Sequence, residues 1–130
     1  MAQLTVGEWV AKSHARLDAV WKTAAQDIAA EVQTPVAKNG RMPVRTGFLR
    51  NSFGAEINST PSGNGETPYT SGPISIVLNR AKLGDRVVFG WAAKYSVNME
   101  AKYSFVRHAA QNWTQIVNKA ARKVKARVNR

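Results

Sequence analysis

Arg41-Met42-Pro43-Val44-Arg45-Thr46-Gly47-Phe48-Leu49-Arg50-Asn51-Ser52 separates a long helical pattern from the first strand-like run, and its reading decides how the two halves of the chain meet. Pro43 fixes its own φ and pushes Met42 towards extended geometry, while Gly47 can take φ > 0 where the chain turns sharply. Thr46 can bond a nearby backbone amide, so Pro-x-x-Thr-Gly predicts a rigid corner.

Upstream of the corner, Thr5-Val6-Gly7-Glu8 has the spacing of a capping box and predicts a helix start. Val6, Val10, Ser13, Leu17, Val20 or Trp21, Ala24, Ile28 and Val32 recur at steps of three and four, and Lys12, Arg16, Lys22, Asp27 and Glu31 mostly take other faces. The pattern predicts an amphipathic helix to about Gln33, stopped by Thr34-Pro35. Such a helix is about 40 Å long, more than a chain of this size needs to cover one sheet. Part of its stripe is therefore expected to face a neighbouring subunit, with Trp9 and Trp21 as candidate contacts.

Downstream, Leu49, Asn51, Phe53, Ala55 and Ile57 alternate with Arg50, Ser52, Gly54, Glu56 and Asn58, predicting a strand buried on one side and entered through a helical turn at Phe48–Asn51. Residues 58–73 are so rich in Gly, Pro, Ser, Thr and Asn that an arm or hairpin tip is expected, with Tyr69 as its anchor on a neighbour. Ile74, Ile76 and Leu78 alternate with Ser75, Val77 and Asn79. After a turn at Arg80–Asp85, Val87, Phe89 and Trp91 alternate again. These two runs predict a hairpin that joins the first strand in an antiparallel sheet. A short helix is expected around Lys94–Met99. From Ser104, taken as an N-cap, Phe105, Ala109, Trp113, Ile116 or Val117, Ala120 and Val124 mark a second long helix. The expected class is α+β: long N- and C-terminal helices packed on a small antiparallel sheet with an extended loop or arm.

The chain has 130 residues, the length of one domain (1–130), and 44% apolar content. It lacks the run of roughly 18 apolar residues that a membrane span requires, and its first residues lack the order of a secretory leader. A cytoplasmic place of synthesis and no membrane partner are the expectation. Without cysteine there is no disulfide framework and no thiolate. The net charge is +11, and no acidic residue follows Glu100. Lys119, Arg122, Lys123, Lys125, Arg127 and Arg130 form a basic segment over 119–130, a candidate contact for DNA or for an acidic partner. Part of that charge suits the C-terminal end of a helix.

Little in the sequence supports catalysis. His14 and His108 are isolated, and Ser13-His14 are neighbours on a helix, whose side chains diverge. The acidic residues show no close metal-ligand spacing, and Gly63-Asn64-Gly65 is not set between strand and helix as a phosphate loop would be. No catalytic residue, metal or cofactor is expected.

Pro43, Thr46, Gly47, Leu49, Arg50 and Ser52 together resemble the Pro-x-x-Thr-Gly-x-Leu-Arg-x-Ser signature of the neck or tail-completion proteins of long-tailed, lambda-like bacteriophages. Tyr95, Val97, Met99 and Glu100 resemble that family's Tyr-Ala-x-x-Val-Glu segment, and Phe105, Val106, Arg107, His108 and Ala109 its Phe-Leu-Arg-Pro-Ala opening of the last helix. The chain departs from the pattern at Ser96 in place of Ala, Ala101 in place of Gly, and His108 where Pro is common.

The resemblance implies a structural virion protein that assembles in the host cytoplasm into a homo-oligomeric ring, expected to be a hexamer, at the head-tail junction. Its implied partners are further copies of itself, the connector or stopper, the tail terminator or tail tube, and duplex DNA in the lumen. Arg45 and Arg50 join Trp9, Trp21 and Tyr69 as candidate subunit contacts. Two other functions fit the sequence: a terminator capping the tail tube, and a nucleic-acid-binding module using the basic C-terminal helix.

Overall fold

In the computed structural model, residues 5–45, 47–61 and 74–128 are described. The fold is α+β: long first and last helices flank a two-stranded antiparallel sheet. The capping box holds, since Thr5 Oγ1 accepts from the Glu8 amide (3.1 Å) and Glu8 Oε2 from the Thr5 amide (3.1 Å). Helix α1 runs from there over Val6–Val32.

The last helical stretch is broken. Helix α5 (Phe105–Gln111) ends at Asn112, and α6 (Trp113–Val128) continues antiparallel to α1. Thr23 meets Arg127 (3.3 Å), Asp27 meets Lys123 (3.0 Å) and Glu31 meets Asn112 (2.8 Å), one contact for each turn of α1. Between these polar edges Ala24 packs on Ile116 and Ala120, with Val20, Ile28 and Val117 at the margins. Alanines on both sides let the two backbones approach closely. The register brings the end of α6 beside Thr23, so α1 extends about 25 Å beyond its partner.

A second core lies where the other elements meet. Met42, Leu49, Ala93 and Phe105 are buried together, and Phe48, Trp91, Met99 and Tyr103 pack against them. Strand β1 (Phe53–Ile57) pairs with β2 (Val87–Trp91) in a register that sets Phe53 opposite Trp91 and Ala55 opposite Phe89. The Phe53 ring lies 5.2 Å from the Trp91 ring and 5.3 Å from that of Phe89, and Trp91 meets Phe105 edge-on at 5.0 Å. These rings join the sheet to α5.

Besides the break at Asn112, three features differ from what the sequence predicts. Ile74–Arg80 forms helix α3, not a strand: Val77, Leu78 and Ala81 are buried while Ile76 is exposed, a three- and four-residue spacing. The apolar Val77 between supposed inward positions carried that signal. Among the described residues the sheet therefore lacks the expected hairpin, and β2 pairs with β1. Ser104 does not cap α5 with its side chain; it sits in left-handed geometry (φ 56°) as the whole linker from α4 (Ser96–Tyr103). The helical turn expected at the entry to β1 is present as α2 (Phe48–Asn51), which takes Leu49–Asn51 out of the expected strand.

A turn over Lys82–Asp85 leads into β2, with Gly84 at φ 96°. Asp85 Oδ2 accepts from the Lys82 amide (2.7 Å) and Oδ1 from the Asn58 side chain (3.2 Å), linking this turn to the end of β1. The Lys82 amide bond, then the Asn58 bond, hold the Asp85 carboxyl below its usual value of 3.8. Because the folded-state pKa is depressed, the stabilisation is present above the unfolded value and is lost as pH falls through the folded one. An NMR titration of the Asp85 carboxyl carbon is expected to give a midpoint below 3.8, and Asp85→Asn to flatten the acid limb of stability in that range. Phe105→Ala is expected to destabilise by about 3–5 kcal/mol in denaturant melts, since the side chain is 2% exposed and joins the sheet to the corner.

Candidate functional site

The corner is built on the end of α1. A helix end leaves carbonyls without intrahelical partners, and here Arg50 reaches back to satisfy one. Its Nε donates to the Gln33 carbonyl (2.9 Å), while Gln33 Nε2 donates to the Arg50 carbonyl (2.6 Å). Gln33 Oε1 accepts from the Trp91 indole (2.9 Å), so one side chain ties α1 to α2 and β2. Between α1 and the corner, the Met42 amide donates to the Thr34 carbonyl (3.0 Å) and the Val36 amide to that of Met42 (3.1 Å). A Cβ on Gly40 would overlap the Thr34 backbone, so only glycine fits there. Gly47 takes φ 82°, as its place in the motif predicts, and α2 begins at the next residue.

Among the described motif residues, Leu49, Ser52 and Phe105 join this junction, while Glu100 and Arg107 act at the joint between α4 and α5. Ser52 is fully buried; its hydroxyl donates to the Leu49 carbonyl (2.7 Å) and accepts from the Ala93 amide (3.3 Å). Leu49 and Phe105 share the buried cluster, and Ala109 is fully buried beyond it. Glu100 replaces the expected Ser104 cap: Oε2 accepts from the Val106 amide (2.8 Å) and Oε1 from that of Arg107 (3.0 Å), placing a carboxylate on the orphan amides that open α5. Arg107 then donates to the Ser104 hydroxyl (2.7 Å). Ala101, where the resembled family has Gly, lies inside α4, and the left-handed residue is Ser104.

Outside the core, Pro43, Arg45, Gly47, Phe48, Leu49, Tyr95 and Met99 line a cavity of about 660 Å³. Its wall is mostly apolar, Tyr95 is 40% exposed, and Arg45 supplies the charge. Pro43 and Tyr95 of the motif therefore face this cavity.

The candidate interface residues divide. Arg50 is used within the chain, while Arg45 is exposed at the cavity. Trp21 is half-buried on α1. Trp9 is 61% exposed on the part of α1 beyond α6, with Val6, Val10 and Leu17 also exposed. Thr46, Tyr69 and Arg130 lie outside the described residues, as does most of the expected arm. In the basic segment, Lys123 and Arg127 bond to Asp27 and Thr23 of α1. Lys119, Arg122 and Lys125 are exposed, spaced by threes on the side of α6 opposite Ile116, Ala120 and Val124.

In the sequence, Gln33 marks only a helix end and Met42 only a residue before proline. Periodicity cannot show that a terminal glutamine will have partners on two other elements. Among the described residues, no group of three or more His, Asp or Glu is placed to hold a metal, and no helix is long and apolar enough to cross a membrane.

Comparison with protein-family models, curated proteins and solved structures finds no match.

Glu100→Ala is expected to destabilise by about 1–2 kcal/mol, because two amides lose their acceptor. Glu100→Gln, which keeps one acceptor oxygen, should lose less; a thermal melt of the two variants compares them.

Proposed function

We propose that the chain is a ring-forming structural subunit of a bacteriophage head-tail junction, completing the tail or joining it to the connector, and that it works through its surfaces without catalysis. The observation that carries assembly is the overhang of α1. Its first three turns, roughly, hold Val6, Trp9, Val10 and Leu17 at 52–80% exposure, continuing the stripe that α6 covers further along. An apolar stripe of this kind on a protruding helix, interrupted by Ser13, marks a protein contact surface.

The resemblance supplies the kind of assembly. It is supported by the way Leu49, Arg50, Ser52 and Phe105 are bonded or buried at the corner and its core, while Glu100 caps α5. A signature of that kind defines a scaffold, and the scaffold leaves the helix tip and the cavity for partners. The outer face of α6, with Lys119, Arg122 and Lys125, suits the phosphates of duplex DNA in a lumen.

Negative-stain images of the purified chain, alone or with its connector and tail partners, are expected to show closed rings with a central opening. Absence of rings under both conditions, together with absence of the chain from virions, would sink the proposal. In a filter-binding series across salt concentrations, changing Lys119, Arg122 and Lys125 to Ala should lower the salt slope for duplex DNA by roughly one unit per residue. An unchanged slope would assign those residues to a protein partner.

A further inference from the structure

Two apolar features of the surface lie at opposite ends of α1. Val6, Trp9 and Val10 stand at its first turns, and the cavity under the Pro43 corner lies beyond its last. A helix of 27 residues separates its ends by about 40 Å, and α1 is unbroken, so the tip cannot reach the cavity of its own chain. Two copies arranged head to tail bring the same surfaces together.

Their chemistry is complementary. Between Thr5 and Ala11 the tip carries one charged residue, Glu8, beside Trp9. Among the described residues, the cavity wall carries one charged residue, Arg45, beside Phe48, Tyr95 and Met99. One Glu8 oxygen accepts from the Thr5 amide, which leaves its carboxylate further acceptor capacity for a guanidinium. A tryptophan filling a mostly apolar cavity, with an ion pair at its rim, has the composition of an interface anchor.

We propose that the α1 tip of one copy docks into the Phe48, Tyr95 and Met99 cavity of the next, with Trp9 as the anchor and Glu8 paired to Arg45. The contact is heterologous, so repetition either closes a ring or runs on as a filament. It rests on the reading of the chain as a self-assembling subunit and names the two surfaces through which it assembles.

The test measures oligomer mass by sedimentation of the full chain and of Trp9→Ala, Arg45→Glu, Glu8→Arg and the Glu8→Arg/Arg45→Glu double variant. Trp9→Ala is expected to weaken association by about 30-fold or more while leaving the thermal midpoint of the monomer unchanged. Each single charge reversal should weaken association, and the double variant should restore it. Mixing Trp9→Ala with Arg45→Glu gives a sharper result: one has an intact cavity and the other an intact tip, so the mixture should form heterodimers that cannot extend.

Assembly that ignores both Trp9→Ala and Arg45→Glu overturns this contact and leaves self-assembly standing. Loss of association with Trp9→Ala but not Arg45→Glu, with no heterodimer on mixing, also overturns it, because the tips then pair with each other. A wild-type chain that is monomeric at every concentration overturns self-assembly and the contact together.

Discussion

The hydrogen bond from Arg50 Nε to the Gln33 carbonyl is the constraint on which the fold turns. It answers a need that every helix end has, an acceptor without a partner, with a side chain from the element that follows the turn. In doing so it sets the direction in which the chain leaves α1. The reciprocal bond from Gln33 to the Arg50 carbonyl and the Trp91 indole bond make the junction a small closed network, in which removing one partner exposes the others. Ser52 extends the network to Ala93, and the aromatic contacts from Phe53 through Trp91 to Phe105 carry it into the core.

The parts of the fold set by local chemistry were legible in the sequence. The Thr5 and Glu8 box started α1, Thr34-Pro35 ended its pattern, Gly47 took the left-handed turn, and the apolar positions of β1 and β2 alternated as strands do. The errors came where contacts distant in sequence decide. Ile74–Leu78 fits a period of two and also the helical spacing, and α3 packs against both α1 and β1. The break at Asn112 has no Gly or Pro to announce it; the Asn112 side chain donates to Glu31 across 81 positions of sequence. The α5 cap came from Glu100, already inside a preceding helix, while the adjacent serine, the better residue on local preference, became the joint.

The candidate site was legible to a similar degree. The Pro43 corner was recognisable as rigid, and the excess length of α1 pointed to an uncovered stripe. The division of labour between the two arginines was not, because Arg45 and Arg50 have the same chemistry and differ only in what lies opposite. The basic segment divides in the same way: Lys123 and Arg127 hold α6 to α1, and only the residues turned outward remain to meet a partner. A count of positive charges therefore overstates the surface available for binding.

Helix α1 has no proline, and its only glycine is Gly7, so from Glu8 to Val32 nothing in its sequence invites a bend. Gripped over its second half by α6 and at its end by the Gln33 network, it is a stiff rod with one clamped end. A small rotation at the clamp becomes a larger displacement at Trp9. In the proposed ring, a change felt at one corner would be handed mechanically to the next copy, and the circle would tighten or relax as a whole.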